Sequence, residues 1–351
     1  MTIFSRSMLL AGMALACGLA STAVRADDAG HWPYRLAQTT PIPGGALWQG
    51  LAFEPASDRL FFAYGDHVDV MNATSGKLVG RIAGIGDAHG LVIRTATGRG
   101  YVSNGARGTV SEFDLATLKV LREIPADGGT DTLAFDAVSG HLFSMNGGSH
   151  DVSVLDLAGK DNIATIRLGG QPEMGGTDDS GHLFVNLKST GEIVKIDTAT
   201  NRITQRTAIP ACERPHGVAY HPGVKRLFLS CGGGQMLVLD PADLHTVAQL
   251  PIAPGTDTVQ IDAARNLVFS PNGTGSLSVV HVESADRFTV TEMPTAIGAR
   301  TMTFSPRSGR LFLPTGDVTE ASANPANPKS PDYAFHPNTL RMMIYDPAQA
   351  R

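Results

Sequence analysis

Seven residues recur at one position of an internal repeat: Gln49, His89, Asp131, Glu173, His216, Asp257 and Arg300. Imidazoles and carboxylates of this kind can hold a divalent ion. They can also act as general acids and bases, and an arginine can grip an anion. Gln49, His89, Asp131, His216 and Arg300 each stand twelve residues before the second residue of a strand motif, and Glu173 and Asp257 stand one residue closer. Elements that put seven such residues in register would gather them into one polar, mixed-charge ring. That ring is the expected binding site for a small ligand or ion. His89 and His216 could share one ion only across a narrow channel, because each metal–nitrogen bond is about 2 Å.

The positioning elements are legible as seven copies of about 42 residues, the length of a four-stranded propeller blade. The second strand of each copy starts at Leu60-Phe61, Gly100-Tyr101, Leu142-Phe143, Leu183-Phe184, Leu227-Phe228, Leu267-Val268 and Leu311-Phe312. A short apolar strand precedes it, as at Leu133-Ala134-Phe135. An alternating strand ending in Asp follows, as at Val152-Ser153-Val154-Leu155-Asp156. The last copy ends at Asp346 without a fourth strand, and Tyr34–Thr39 has no other home. The expected fold is all-β: a seven-bladed β-propeller closed by that N-terminal strand, which leaves no open sheet edge. The first strands then line a central channel, and the seven residues sit at its top mouth.

Two other sets repeat. Asn104, Asn146, Asn186 and Asn272 end second strands on the same face. They could reach a ligand, but Asn before Gly more often serves a tight turn. Asp114, Asp156, Asp197, Asp240 and Asp346 lie at the opposite face with turn residues after them, and are expected to shape those turns. His141, His182 and His221 are expected at that bottom face too. In the last copy about 24 residues, 316–339, separate the second and third strands. So long a connection is a lid over the mouth or a plain surface insertion.

The chain ends bound its location. Arg6, the apolar run Met8–Leu19 and Val24-Arg25-Ala26 read as a secretory signal over residues 1–26. Residues 27–351 then form one propeller domain. No other stretch is apolar enough to span a bilayer, so the expected location is the periplasm. Cys17 fits a lipobox poorly. The remaining cysteines, Cys212 and Cys231, flank two antiparallel neighbours, which suggests one disulfide, with two free thiols as the alternative. The net charge of −5 becomes −7 without Arg6 and Arg25. With no Lys/Arg run and few aromatics, nucleic acid is not the expected partner. A monomer is expected.

Tyr101-Val102-Ser103-Asn104 resembles the tetrapeptide of the YVTN-repeat β-propellers, and Glu213-Arg214-Pro215-His216-Gly217 resembles a blade opening of their periplasmic YncE-like members. The likeness covers roughly residues 45 to 346. It implies a seven-bladed exported ring with a binding role and transfers no catalytic residue.

No P-loop, Gly-x-Ser-x-Gly elbow, His-Glu-x-x-His or Cys-x-x-Cys is present. The leading expectation is a scaffold that binds a small molecule or a protein through its top face. The alternative is a metal-dependent hydrolase resembling gluconolactonase-type propellers, with a divalent ion held by Glu173, Asp131 and Asp257 and by Asn146 or Asn186.

Overall fold

Alternating strands joined by glycine turns fold each copy of the repeat into an antiparallel four-stranded sheet. The computed structural model describes residues 32–44, 48–159, 161–325 and 329–348. The expected signal sequence, with Cys17, lies outside them. The first blade runs through Leu51–Glu54, Arg59–Tyr64, His67–Asn72 and Leu78–Ala83. Five more sheets repeat that order along the chain.

The seventh blade closes the ring. Its own strands are Thr303–Phe304, Leu311–Thr315 and Arg341–Pro347, and its outer strand is Tyr34–Pro41. Tyr34 pairs with Pro347 and Pro41 with Arg341, antiparallel. The expected closure is therefore present, and the first and last segments share one sheet. No helix among the described residues is long and apolar enough to cross a membrane.

The core lies between blades. One apolar cluster joins Phe61 and Val70 of the first blade to Val102 and Phe113 of the second. Another joins Phe312, Met342 and Ile344 of the seventh to Leu60 and Phe62 of the first. The aromatic of each second strand faces a smaller residue on the inner strand, as in Phe143 opposite Ala134, Phe184 opposite Gly176 and Phe228 opposite Ala219. The sixth blade inverts this, with Val268 opposite Ile261. Bulk is conserved across the pair, which keeps packing dense without strain.

At the bottom face the aspartates do the expected turn work. Asp114 Oδ1 accepts from the Thr117 amide at 2.8 Å, and Asp197 Oδ1 from the Thr200 amide at 2.8 Å. The arginine opening a second strand meets the aspartate ending the third: Arg99–Asp114 at 2.6 Å, Arg226–Asp240 at 2.9 Å and Arg310–Asp346 at 2.8 Å. Arg226 and Arg310 also donate to carbonyls of the next blade, Ala285 and Ala73. These carboxylates are structural.

Cys212 and Cys231 form a disulfide, with Cα atoms 5.2 Å apart. It ties the run into the fifth blade to the end of that blade's second strand. The long connection of the seventh blade is not a plain loop. It carries a two-stranded ribbon, Val318–Ser322 against Asp332–Phe335.

Candidate functional site

Four residues of the expected ring sit in β-bulges. In the inner strands of blades two to five the pairing register slips between Ala88 and Leu91, Thr130 and Leu133, Pro172 and Gly175, and Pro215 and Val218. The residues inside those slips are His89-Gly90, Asp131-Thr132, Glu173-Met174 and His216-Gly217. A bulge sets two residues against one and re-aims a side chain. Ser103 Oγ accepts from the Gly90 amide at 2.7 Å, and Ser230 Oγ from the Gly217 amide at 3.1 Å, so the freed amides are satisfied. Gln49, Asp257 and Arg300 lie just ahead of shortened inner strands. Gln49-Gly50, His89-Gly90 and His216-Gly217 share a reason for their glycine. A Cβ there would sit 2.3 to 2.6 Å from backbone atoms of the next blade.

All seven residues line one cavity of about 320 Å³. Within it the charges pair from blade to blade. His89 Nδ1 lies 3.0 Å from Asp131 Oδ1, and its Nε2 lies 3.2 Å from Asp87 Oδ1. Across the ring, His216 Nδ1 is 2.9 Å from Glu173 Oε1 and 3.3 Å from Asp257 Oδ1. It points squarely at neither, so the contact is a shared charge contact between two carboxylates. Lys188 Nζ donates to Glu173 Oε2 at 2.7 Å, and Arg300 Nε lies 3.5 Å from Asp257 Oδ2. One network therefore links blades four, five, six and seven.

These neighbours set the protonation states. Burial works to neutralise His216, but the carboxylates of Asp257 and Glu173 outweigh it and push its pKa up to about 9. Burial alone would raise Glu173 and Asp257. His216 and then Lys188 hold Glu173 below its usual range, while Arg300 and then His216 hold Asp257 well below its own. His89 is raised despite burial, by Asp131 and then Asp87, and burial raises Asp131 against the pull of His89.

A cation site was expected here as one option. Ligand atoms of Glu173, His216 and Asp257 do lie within 4.8 Å of one another. The set nevertheless fits a resident metal ion poorly. The two carboxylates are already met by side-chain cations: the Lys188 ammonium occupies the outer oxygen of Glu173, and Arg300 stands 3.5 Å from Asp257. The amide nitrogens of the asparagines are held within the fold. Asn146 donates to Asp151 and Ser153, and Asn186 donates to the carbonyls of His216 and Gly217 in the next blade. Asn104 accepts from the Gly86 amide, and Asn272 donates to Ser278. All four side chains are buried. Their side chains brace strand ends and neighbouring loops, while the carbonyls of Asn104, Asn146 and Asn272 open the expected turns.

A second cavity of about 270 Å³ adjoins the first and shares Arg214, His216, Asp257 and Arg300 with it. The ribbon of the seventh blade forms its outer wall through Tyr333 and Phe335. Trp48 forms another side, with the Phe335 and Trp48 ring centroids 4.8 Å apart. Lys329 Nζ reaches Glu213 at 3.1 Å and so ties the insertion to the fifth blade. The repeat position does not find Lys188, Arg214, Trp48, Tyr333 or Phe335. Lys188 and Arg214 stand in turns beside the inner strands, and the rest belong to the chain's non-repeating parts. The alternation Asp332-Tyr333-Ala334-Phe335 was the available signal for the ribbon.

No family model and no curated protein matches the chain. Solved structures do. Hydrazine synthase of Kuenenia stuttgartiensis aligns with TM-score 0.66 and 16% identity, over 78% of this chain and 92% of that chain. A chain of a mitotic checkpoint complex aligns with TM-score 0.73 and 14% identity, over 96% of this chain and 99% of that chain. The likeness is one of fold. It supports the seven-bladed ring and carries no activity with it, since one scaffold hosts many functions. The resemblance to YVTN-repeat proteins rests on the motifs alone.

Proposed function

We propose that this chain is an exported β-propeller that binds a small molecule at the top mouth of its channel. The observation that carries the reading is the ion-pair network of Glu173, His216, Asp257 and Arg300 across four blades, opening onto two adjoining cavities. Core packing does not require polar groups there, and four of the seven ring residues are aimed by bulges. A concave site with a few convergent polar groups on a rigid frame suits a small ligand. Export draws support from the disulfide, which persists in oxidising compartments, and from the N-terminal sequence pattern. A propeller also fits a protein-interaction role at its rim.

A hydrolase with a channel-held ion is the weaker reading, because the carboxylates of Glu173 and Asp257 are already met by Lys188 and Arg300. A thermal-shift screen with small organic acids, amines and divalent metals separates the two. The proposal expects an organic compound to raise the melting temperature of the wild type and not of Arg300→Met. Stoichiometric metal lost on Glu173→Gln, together with lactone turnover, would favour the hydrolase.

A further inference from the structure

We infer that the ligand is a small planar aromatic anion, with its ring in the cavity under the seventh-blade ribbon and its anionic group between Arg214 and Arg300. The assignment deepens the top-mouth reading and rests on it.

Charge points to an anion. Lys188, Arg214, His216 and Arg300 face the two cavities as cations, against the carboxylates of Asp131, Glu173, Asp257 and Asp332. Lys188 is satisfied by Glu173 at 2.7 Å. The two arginines are not satisfied to that degree. Arg300 keeps half its side chain exposed and has Asp257 only at 3.5 Å. Among the described residues Arg214 meets the Asn324 amide oxygen at 3.4 Å and makes no ion pair. Its backbone is held at φ 55°, a conformation uncommon for a side-chain-bearing residue. Guanidinium groups bind carboxylates through paired N–H donors, so two poorly paired arginines lining one cavity form an anion receptor.

Shape and lining point to an aromatic ring. Trp48, Tyr333 and Phe335 supply apolar lining to the same cavity as the arginines. Ring stacking favours a flat partner. A volume of about 270 Å³ lies at or below the bottom of the range of roughly 300–1,000 Å³ that holds drug-sized molecules. One ring with one charged group fits this scale.

Calorimetry of the purified protein with benzoate, acetate and benzamide tests the assignment. Acetate keeps the charge without the ring, and benzamide keeps the ring without the charge. The inference expects benzoate to bind about tenfold tighter than either. Arg300→Met should weaken benzoate about tenfold, and Tyr333→Ala about threefold or more. Circular dichroism spectra matching the wild type would show that both variants still fold. Quenching of Trp48 in a Trp32→Phe background locates the bound ring. Benzoate binding no tighter than acetate or benzamide, or unaffected by Arg300→Met, overturns the inference. If another small molecule still raises the melting temperature in an Arg300-dependent manner, the top-mouth reading survives that failure. If none does, both fall.

Discussion

The ring of Phe335 rests on that of Trp48, 4.8 Å between centroids, so the insertion in the seventh blade is fastened to the start of the first. The site and the closure of the propeller therefore share a joint. Ligand occupancy under the ribbon should be felt at the seam where the ring is sealed.

Phe335→Ala should loosen that ribbon first. The ring is partly buried, so a loss of about 2 kcal/mol is expected, below the range for a fully buried phenylalanine. Limited proteolysis should cut faster within 318–335 while the rest of the chain stays resistant.

Gly298 is required twice. Its φ of 81° is left-handed, and a Cβ would meet the tip of the Phe335 ring at 2.4 Å. Gly298→Ala should cost on the order of 1–3 kcal/mol and should release the ribbon much as Phe335→Ala does. A melting curve with proteolysis of the double variant checks this, because effects through one shared contact are not additive.

Stability should depend on pH through His216. Its folded pKa of about 9 lies above the ordinary value of 6.5. The contribution is thus complete below pH 6.5 and is lost as pH rises through about 9, on the order of 3 kcal/mol in total. Asp257 acts in the opposite sense. Its carboxyl is held below its usual range, so its contribution is present above about pH 3.9 and fades as pH falls further. Urea midpoints from pH 6 to 10 should fall in the wild type. Glu173→Gln should flatten that fall by removing one of the two carboxylates that hold the proton.

Much of this was open to reading in the sequence, and the reasons differ by element. The repeat anchors, such as Phe143 and Phe228, mark strands because core packing demands an apolar residue at a fixed place in each blade. Counting back from them reaches His89 and His216 for the same reason. The bulges are not legible, because residue types alone do not say that Ala88 and Leu91 bracket a slipped register. The pairing of His216 with Glu173 on one side and Asp257 on the other depends on how far inner strands approach, which the glycines set. Arg214 and Tyr333 escape any rule of repetition, since the ligand cavity joins repeat-position residues such as Arg300 to others that the repeat does not contain.

Reduction offers an independent check on the fifth blade. The disulfide closes a separation of 19 residues, and removing it should cost about 3 kcal/mol by loop entropy. A Cys212→Ala, Cys231→Ala variant should melt lower than the oxidised wild type, and added reductant should leave its melting temperature unchanged. Equal melting of the two oxidised proteins would show that the bridge contributes nothing to stability.

The central claim, a small anionic ligand under the ribbon at the top mouth, is tested most directly by a crystal structure of the protein soaked in benzoate. The account predicts a carboxylate between the guanidinium groups of Arg214 and Arg300, with the ring against Tyr333. A saturating soak that leaves this cavity filled only by solvent, or places benzoate on another face of the ring, would contradict it.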